Sequence, residues 1–204
     1  MTDFKAIAAG MRGVYERKAT QFDRERSKIL FERRWLEKFK ALLSQDASIL
    51  DVGCGTGEPI AQYFIAKGYD LTGVDYAQSM VAIARQRFPG QSWHVADMRA
   101  LDLEEQYDGL IGWHSFFHLT PEEQRTVLPV FSSHLNPGGA MMLTVGPEKD
   151  ERIGHVGGEE VYHASLSPEE YRKILEDLGF EIKDFVFGDP ECGSANIILA
   201  KKKI

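Results

Sequence analysis

Downstream of Ser48 the hydrophobic positions fall into short continuous runs, separated by stretches in which apolar residues recur at helical spacing. The runs predict strands at 48–52, 70–74, 91–95, 108–112, 139–145, 180–187 and 195–201. Between the first two, Ile60–Lys67 has a helical period and Gly68 supplies the stop. Thr120-Pro121-Glu122-Glu123 and Ser167-Pro168-Glu169-Glu170 each offer an N-cap, a proline at the first helical position and a glutamate at the third. Asn136-Pro137-Gly138-Gly139 is a turn that launches the fifth strand. Upstream, residues 4–43 read as two or three helices, with Tyr15, Phe22, Phe31, Trp35 and Phe39 on their apolar faces. Strands that alternate with helices build a parallel sheet covered on both faces, so the expected fold class is α/β.

The turn after the first strand carries the chemistry. In Ile49–Pro59, ILDVGCGTGEP, an apolar run ends in Asp51 and opens into Gly53, Gly55 and Gly57, with a helix expected to begin near Glu58. Glycine lets the backbone take positive φ and approach a ligand closely. A dinucleotide-phosphate loop has the spacing G-x-G-x-x-G and cradles a pyrophosphate. Here the spacing is G-x-G-x-G, and Asp51 and Glu58 flank it, which suits a cationic nucleoside better than a phosphate. The second strand, LTGVD, ends in Asp75, 24 residues after Asp51. That is close to the ~20-residue offset at which an acid reaches ribose hydroxyls in a βαβ nucleotide site. Asp97 ends the third, and open α/β sheets bind ligands at the carboxyl ends of their strands.

With these motifs in order, the chain resembles the class I S-adenosylmethionine (SAM)-dependent methyltransferases. The matching segments are Asp51–Gly57, Asp75, Val95–Met98 (VADM), Tyr107–His118 and Leu135–Val145, and the resemblance spans roughly residues 35–204. It implies a Rossmann-like seven-stranded sheet, mostly parallel with an antiparallel edge strand in a terminal hairpin. It also implies one domain over 1–204, with a helical lid at 1–45 and the core at 46–204. The cofactor implied is SAM. Gly53, Gly55 and Gly57 would lie against its methionyl part, Asp51 would attract the ammonium, and Asp75 would accept from both ribose hydroxyls. Tyr76 would cover the adenine or ribose, Asp97 would accept from the adenine amino group, and Met98 would pack on the ring. Tyr15, Phe22 and Arg34 are expected in a roof over the site, with Tyr15 assigned to the cofactor.

After the fourth strand comes Gly112-Trp113-His114-Ser115-Phe116-Phe117-His118-Leu119. Methyl transfer is an in-line displacement in which positioning and exclusion of water carry much of the rate. Aromatic walls suit that task, and a π face attracts a cation; Trp113 is assigned to the cofactor and Phe117 to the acceptor. His114 and His118 are the candidate bases, because an imidazole accepts a proton at neutral pH. His118 has a second reading, as a brace for the loop before the next helix. A zinc ion would need a third ligand, and none stands at a recognised spacing, so no metal is expected. Residues 146–166 form a long connection from which Tyr162, His163 and His155 are candidates for the acceptor. The plainer reading of that connection is a solvated excursion with a short hairpin at Gly157-Gly158.

The net charge of −7 argues against a nucleic-acid substrate. The local basic group Arg24, Arg26, Lys28, Arg33 and Arg34 is interleaved with Asp23, Glu25 and Glu32 and reads as a paired, solvated face. No apolar run approaches the ~20 residues of a membrane span, and the N-terminus lacks the basic and apolar regions of an export signal. Cys54 and Cys192 are far apart and fit a reduced, cytoplasmic protein. Cys54 reads as a small residue fitted to a tight turn. The resulting expectation is methyl transfer from SAM to an oxygen or nitrogen of a small molecule. The alternatives are a carbon methyltransferase of the quinone-biosynthesis type and a non-catalytic SAM-binding module. A nicotinamide oxidoreductase is disfavoured by the glycine spacing.

Overall fold

The computed structural model describes residues 3–204. Helices α1 (Phe4–Glu25) and α2 (Arg33–Lys40) precede an alternating series: β1 (Ser48–Val52), α3 (Ile60–Ile65), β2 (Asp70–Asp75), α4 (Gln78–Arg87), β3 (Ser92–Val95), β4 (Tyr107–Gly112), α5 (Pro121–Ser133) and β5 (Leu135–Val145). The hairpin β6 (Asp150–Val156) and β7 (Glu159–Ser165) follows, then α6 (Pro168–Asp177), β8 (Phe180–Asp189) and β9 (Ala195–Lys202).

Seven strands form one sheet in the order β3-β2-β1-β4-β5-β9-β8. The first five are parallel to one another, and β9 runs antiparallel between β5 and β8, so the terminal hairpin forms that edge. Successive side chains in a strand point to opposite faces, and here both faces are dry. Ile49, Leu71, Ile111 and Met142 pack on one side against Trp35, Leu36 and Phe39 of α2 and Phe64 of α3. Leu50, Val74, Leu110 and Met141 pack on the other against Val127 and Phe131 of α5 and Tyr171 of α6. Burying such a side chain fully stabilises the fold by roughly 1.5–3 kcal/mol.

The two signalled helix starts form as expected. Thr120 and Glu123 make a reciprocal capping box, at 3.3 Å and 2.8 Å, and Ser167 accepts from the Glu170 N–H at 3.2 Å. Three details differ from expectation. Strand β5 begins at Leu135, drawing the Asn136–Gly139 turn into the sheet through a register shift against β4. Helix α3 begins at Ile60, and Glu58 instead meets Lys28 and Arg87. The long connection after β5 is a paired hairpin over most of its length, turning on Gly157 and Gly158, both at positive φ as a tight hairpin turn requires.

The strand order reverses between β1 and β4, and the crevice at their carboxyl ends is where such sheets bind ligands. Helix α1 and the β6–β7 hairpin close over that crevice. Met11 and Val14 of α1 pack on Val161 and Ala164 of β7, while Ala19 packs on Ala77 and Met80 at the start of α4. Among the described residues, no helix is long and apolar enough to cross a membrane.

Candidate active site

The loop after β1 is tied to β2: the N–H groups of Gly53 and Cys54 both donate to the Val74 carbonyl, at 2.8 Å and 3.0 Å. Gly53 has φ of 73°, and a Cβ there would sit 2.2 Å from that of Ser115, so only glycine fits. Gly55 donates its N–H to Asp75 Oδ2 at 3.0 Å, while Asp75 Oδ1 accepts from Ala77 at 2.9 Å. A Cβ on Gly55 would project towards Phe22 of α1, 3.7 Å away, into the cavity that both residues line. Gly57 also lines the cavity, but a Cβ there would press on Phe88 and Trp93 at 3.1 Å, so packing demands glycine at that position too.

The cavity holds about 380 Å³. Asp51 and Asp75 form its anionic floor, and both are buried. Burial raises the Asp51 carboxyl to about 7, helped by the charge of Asp75. Burial likewise raises Asp75 to about 6, outweighing the N–H groups of Ala77 and Gly55 that favour its ionised form. Among the described residues neither acid has a salt bridge. A pair of this kind fits a ligand that brings its own positive charge and hydroxyl donors.

Tyr76, Met98 and Trp113 line the same cavity. So does Asp97, but its carboxylate is forked onto the Arg99 guanidinium, with Nε at 2.9 Å and 3.0 Å, and Arg99 in turn reaches Glu123 at 2.8 Å. Asp97 therefore meets a ligand only with lone pairs that Arg99 leaves free. Glu58, expected as company for an ammonium group, is compensated by Lys28 at 2.8 Å and Arg87 at 3.2 Å.

His114 has φ of 52°, the left-handed region rare for a side-chain-bearing residue, and its N–H donates to Thr144 Oγ1 at 2.7 Å. Its ring lies beside Trp113 and Phe117 and opens to the cavity. It also opens to a second cavity of about 180 Å³, bounded further by Thr144, Asp150, Arg152, Ser194 and Asn196. Phe117 and His163 share both cavities with it, so these three rings form the partition. Burial lowers the His114 pKa to about 4, with Arg26 and His163 adding to the effect, so the imidazole is neutral at physiological pH.

His118 also lines the first cavity, but its ring nitrogens are both occupied. Its Nδ1 is 2.7 Å from the Tyr162 carbonyl and its Nε2 is 2.8 Å from the Tyr15 hydroxyl. Both nitrogens are engaged, so His118 has no free position for an acceptor's proton and the reading as a base is corrected to a brace. Two other expectations are also corrected. Tyr162 is fully buried outside both cavities, its hydroxyl on Glu151 at 2.8 Å and its ring edge-on to Phe4. Arg34 pairs with Glu191 at 3.0 Å and lines neither cavity. Tyr15 and Phe22 do line the first cavity, as do Arg26 and His155.

Sequence reasoning missed the contacts that hold α1 in place. Glu16 accepts from the backbone N–H of Ser79 at 3.2 Å and from its hydroxyl at 2.9 Å, capping the first turn of α4. Asp23 takes both prongs of Arg87 at 2.8 Å and the Thr56 hydroxyl at 2.6 Å. The only sequence signal was their seven-residue spacing, which puts Glu16 and Asp23 on one face of α1.

A glycine turn flanked by two strand-end acids stands at the switch point of a doubly covered, Rossmann-like sheet, the place where such sheets bind nucleotides. Comparison with known proteins narrows this class. Residues 49–139 match the family model described as a methyltransferase domain. The chain is 34% identical over 149 residues to the malonyl-[acyl-carrier protein] O-methyltransferase of Bacillus cereus, covering 70% of this chain and 51% of that protein. It is 31% identical over 99 residues to the dTDP-3-amino-3,4,6-trideoxy-alpha-D-glucopyranose N,N-dimethyltransferase of Streptomyces venezuelae, covering 48% and 41%. The chain thus spans about half the length of these curated relatives or less. Among solved structures, the fold is similar to a 1,6-didemethyltoxoflavin-N1-methyltransferase from Burkholderia thailandensis, with TM-score 0.76, 20% identity and coverage of 100% and 92%. It is also similar to an amino pentose methyltransferase from Micromonospora echinaspora, with TM-score 0.71, 22% identity and coverage of 91% and 96%. Residues 49–139 are thus similar to a methyltransferase domain, and the fold around them is that of the solved methyltransferases.

Proposed function

We propose that this chain binds SAM in the larger cavity and transfers its methyl group to a nitrogen or oxygen of a small molecule held in the second. The observation that carries this reading is the buried pair Asp51 and Asp75 beside the glycine loop, in a cavity that shares His114, Phe117 and His163 with a second one. When bound, SAM would supply an electrophilic methyl carbon on a sulfonium, whose bonding pair would remain on sulfur when the acceptor's lone pair takes the carbon. Asp75 still has a free lone pair on each oxygen for ribose hydroxyls after binding Gly55 and Ala77. Asp51 ionises when a positive charge stands nearby, so it favours the cationic donor. Met98 and Tyr76, which line the cavity, would cover the base, while Asp97 is held on Arg99.

On the acceptor side, the neutral His114 ring offers a lone pair to an N–H or O–H of the incoming molecule and passes its proton on to solvent. Phe117 and His163 keep water from the path between the cavities. Helix α1 serves as a lid. Relatives named for amino sugars and for an O-methyl product favour nitrogen or oxygen acceptors. The second cavity favours a catalyst over a binding-only module, which would need no acceptor site. Two free cysteines accord with a reducing compartment such as the cytoplasm.

The test is incubation with methyl-labelled SAM and a panel of amino sugars, aromatic amines, phenols and carboxylic acids. Labelled product with stoichiometric S-adenosylhomocysteine supports the reading. Binding of SAM with no transfer to any member of the panel would favour the binding module.

A further inference from the structure

His118 closes the single-turn 3-10 helix Phe116–His118 after β4, against Tyr15 of α1. The direction of each hydrogen bond follows from elementary valence. A carbonyl oxygen can only accept, so Nδ1, 2.7 Å from the Tyr162 carbonyl, carries the ring's proton. A neutral ring then has only a lone pair at Nε2, and Tyr15 must donate its O–H there across 2.8 Å. Burial keeps the ring neutral, lowering its pKa to about 3 against the small opposing effect of the Tyr162 carbonyl. With its proton committed, the Tyr15 oxygen has only lone pairs left to offer. Tyr15 lines the larger cavity together with Asp51 and Asp75. The cavity thus presents oxygen lone pairs from three side chains, which suits a ligand group that is positively charged or carries polarised hydrogens.

We propose that His118 is a positioning residue, which by accepting the Tyr15 hydroxyl proton makes that oxygen an acceptor-only contact for the cationic end of the methyl donor. The same bond ties α1 to the loop after β4 and so holds the lid shut. What Tyr15 faces rests on the methyl-donor reading above; the direction of the Tyr15–His118 bond does not.

The primary test is the ¹⁵N spectrum of the histidine rings in the wild-type chain, with and without SAM. His118, assigned by its loss in His118→Gln, is expected as the Nδ1–H tautomer with an unprotonated Nε2 in both samples. Glutamine carries a donor and an acceptor on one planar amide but cannot relay a proton, so it separates positioning from base catalysis. His118→Gln is expected to keep SAM affinity within about threefold of wild type, whereas His118→Leu and Tyr15→Phe lose about three- to tenfold, as one neutral hydrogen bond implies. Amide exchange in α1 is expected to quicken in the latter two. An Nε2–H tautomer with normal SAM binding would overturn the inference and leave the methyl-donor reading standing. Equal loss of turnover in the Gln and Leu variants, with α1 exchange and SAM affinity unchanged, would restore His118 as a base. Failure of the wild type to bind SAM would remove the donor reading and, with it, the partner proposed for Tyr15. Should His118→Leu fail to fold, the wild-type spectrum decides alone.

Discussion

Asp23 near the end of α1 and Arg87 at the end of α4 meet as a two-pronged ion pair, both separations 2.8 Å, directly above the glycine loop. Asp23 also takes the Thr56 hydroxyl, and Arg87 donates to the Thr56 carbonyl at 3.0 Å, so one pair fastens α1, α4 and the glycine loop together. Arg87 foremost, then Thr56 and Lys28, hold the Asp23 carboxyl well below the usual carboxylate range. Asp23→Asn removes the charge and half of the fork. The expected result is faster hydrogen exchange in α1 and SAM affinity weakened about fivefold, on the order of 1 kcal/mol for a partly exposed pair. Exchange unchanged from wild type would show that the apolar contacts of Met11, Val14 and Ala19 hold the lid alone.

Asp75→Ala removes the acceptor of two backbone N–H groups as well as the proposed ribose contact. SAM affinity should fall by about a hundredfold or more, in line with losing two hydrogen bonds to a charged group. Calorimetry on the variant checks this, and affinity within error of wild type would remove Asp75 from the donor site.

His114 is the remaining candidate for contact with the acceptor's proton. Because its φ is 52°, asparagine, which tolerates the left-handed region, is a better probe than alanine. His114→Asn should lower turnover by on the order of ten- to a hundredfold while SAM affinity changes little. Loss of SAM binding with turnover intact in the residual complex would make His114 part of the donor wall instead.

The floor of the larger cavity responds to pH through Asp51 and Asp75, raised to about 7 and about 6. An unfolded chain ionises such groups near pH ~4, so the ligand-free folded state binds more protons between about pH 4 and about pH 7. The contribution of these two acids to stability is therefore greatest at the acid end of that window and falls as pH rises through the folded values, while buried His114 and His118, lowered to about 4 and about 3, contribute in the opposite sense. A cationic ligand prefers both acids ionised, so SAM affinity should rise over the same interval, with protons released on binding. Thermal melting and calorimetry in buffers of different ionisation enthalpy read the two effects. Asp51→Asn should flatten both trends, and SAM affinity constant across this window would mean the acids do not sense the donor's charge.

The sheet, its order of motifs and the acid–glycine loop were legible because they are local: strand runs, capping boxes and a five-residue turn state themselves within short windows. What stayed hidden depends on contacts between distant segments. Tyr162 looks like a pocket aromatic in sequence, yet packing against Phe4 and Met11 takes it into the lid interface. Asp97 ends its strand as an adenine-binding acid would, but Arg99 two residues later turns back on it. Tyr15 and His118 are 103 positions apart, and nothing in the spacing of either predicts that each satisfies the other.

The cavity above Asp51 and Asp75 is expected to take an adenosyl sulfonium. Isothermal titration of the wild-type chain with SAM, S-adenosylhomocysteine and NAD tests it most directly. One-to-one, saturable binding of both adenosyl ligands, with none for NAD, is the predicted result. A folded protein that takes up NAD and gives no heat with SAM would contradict it.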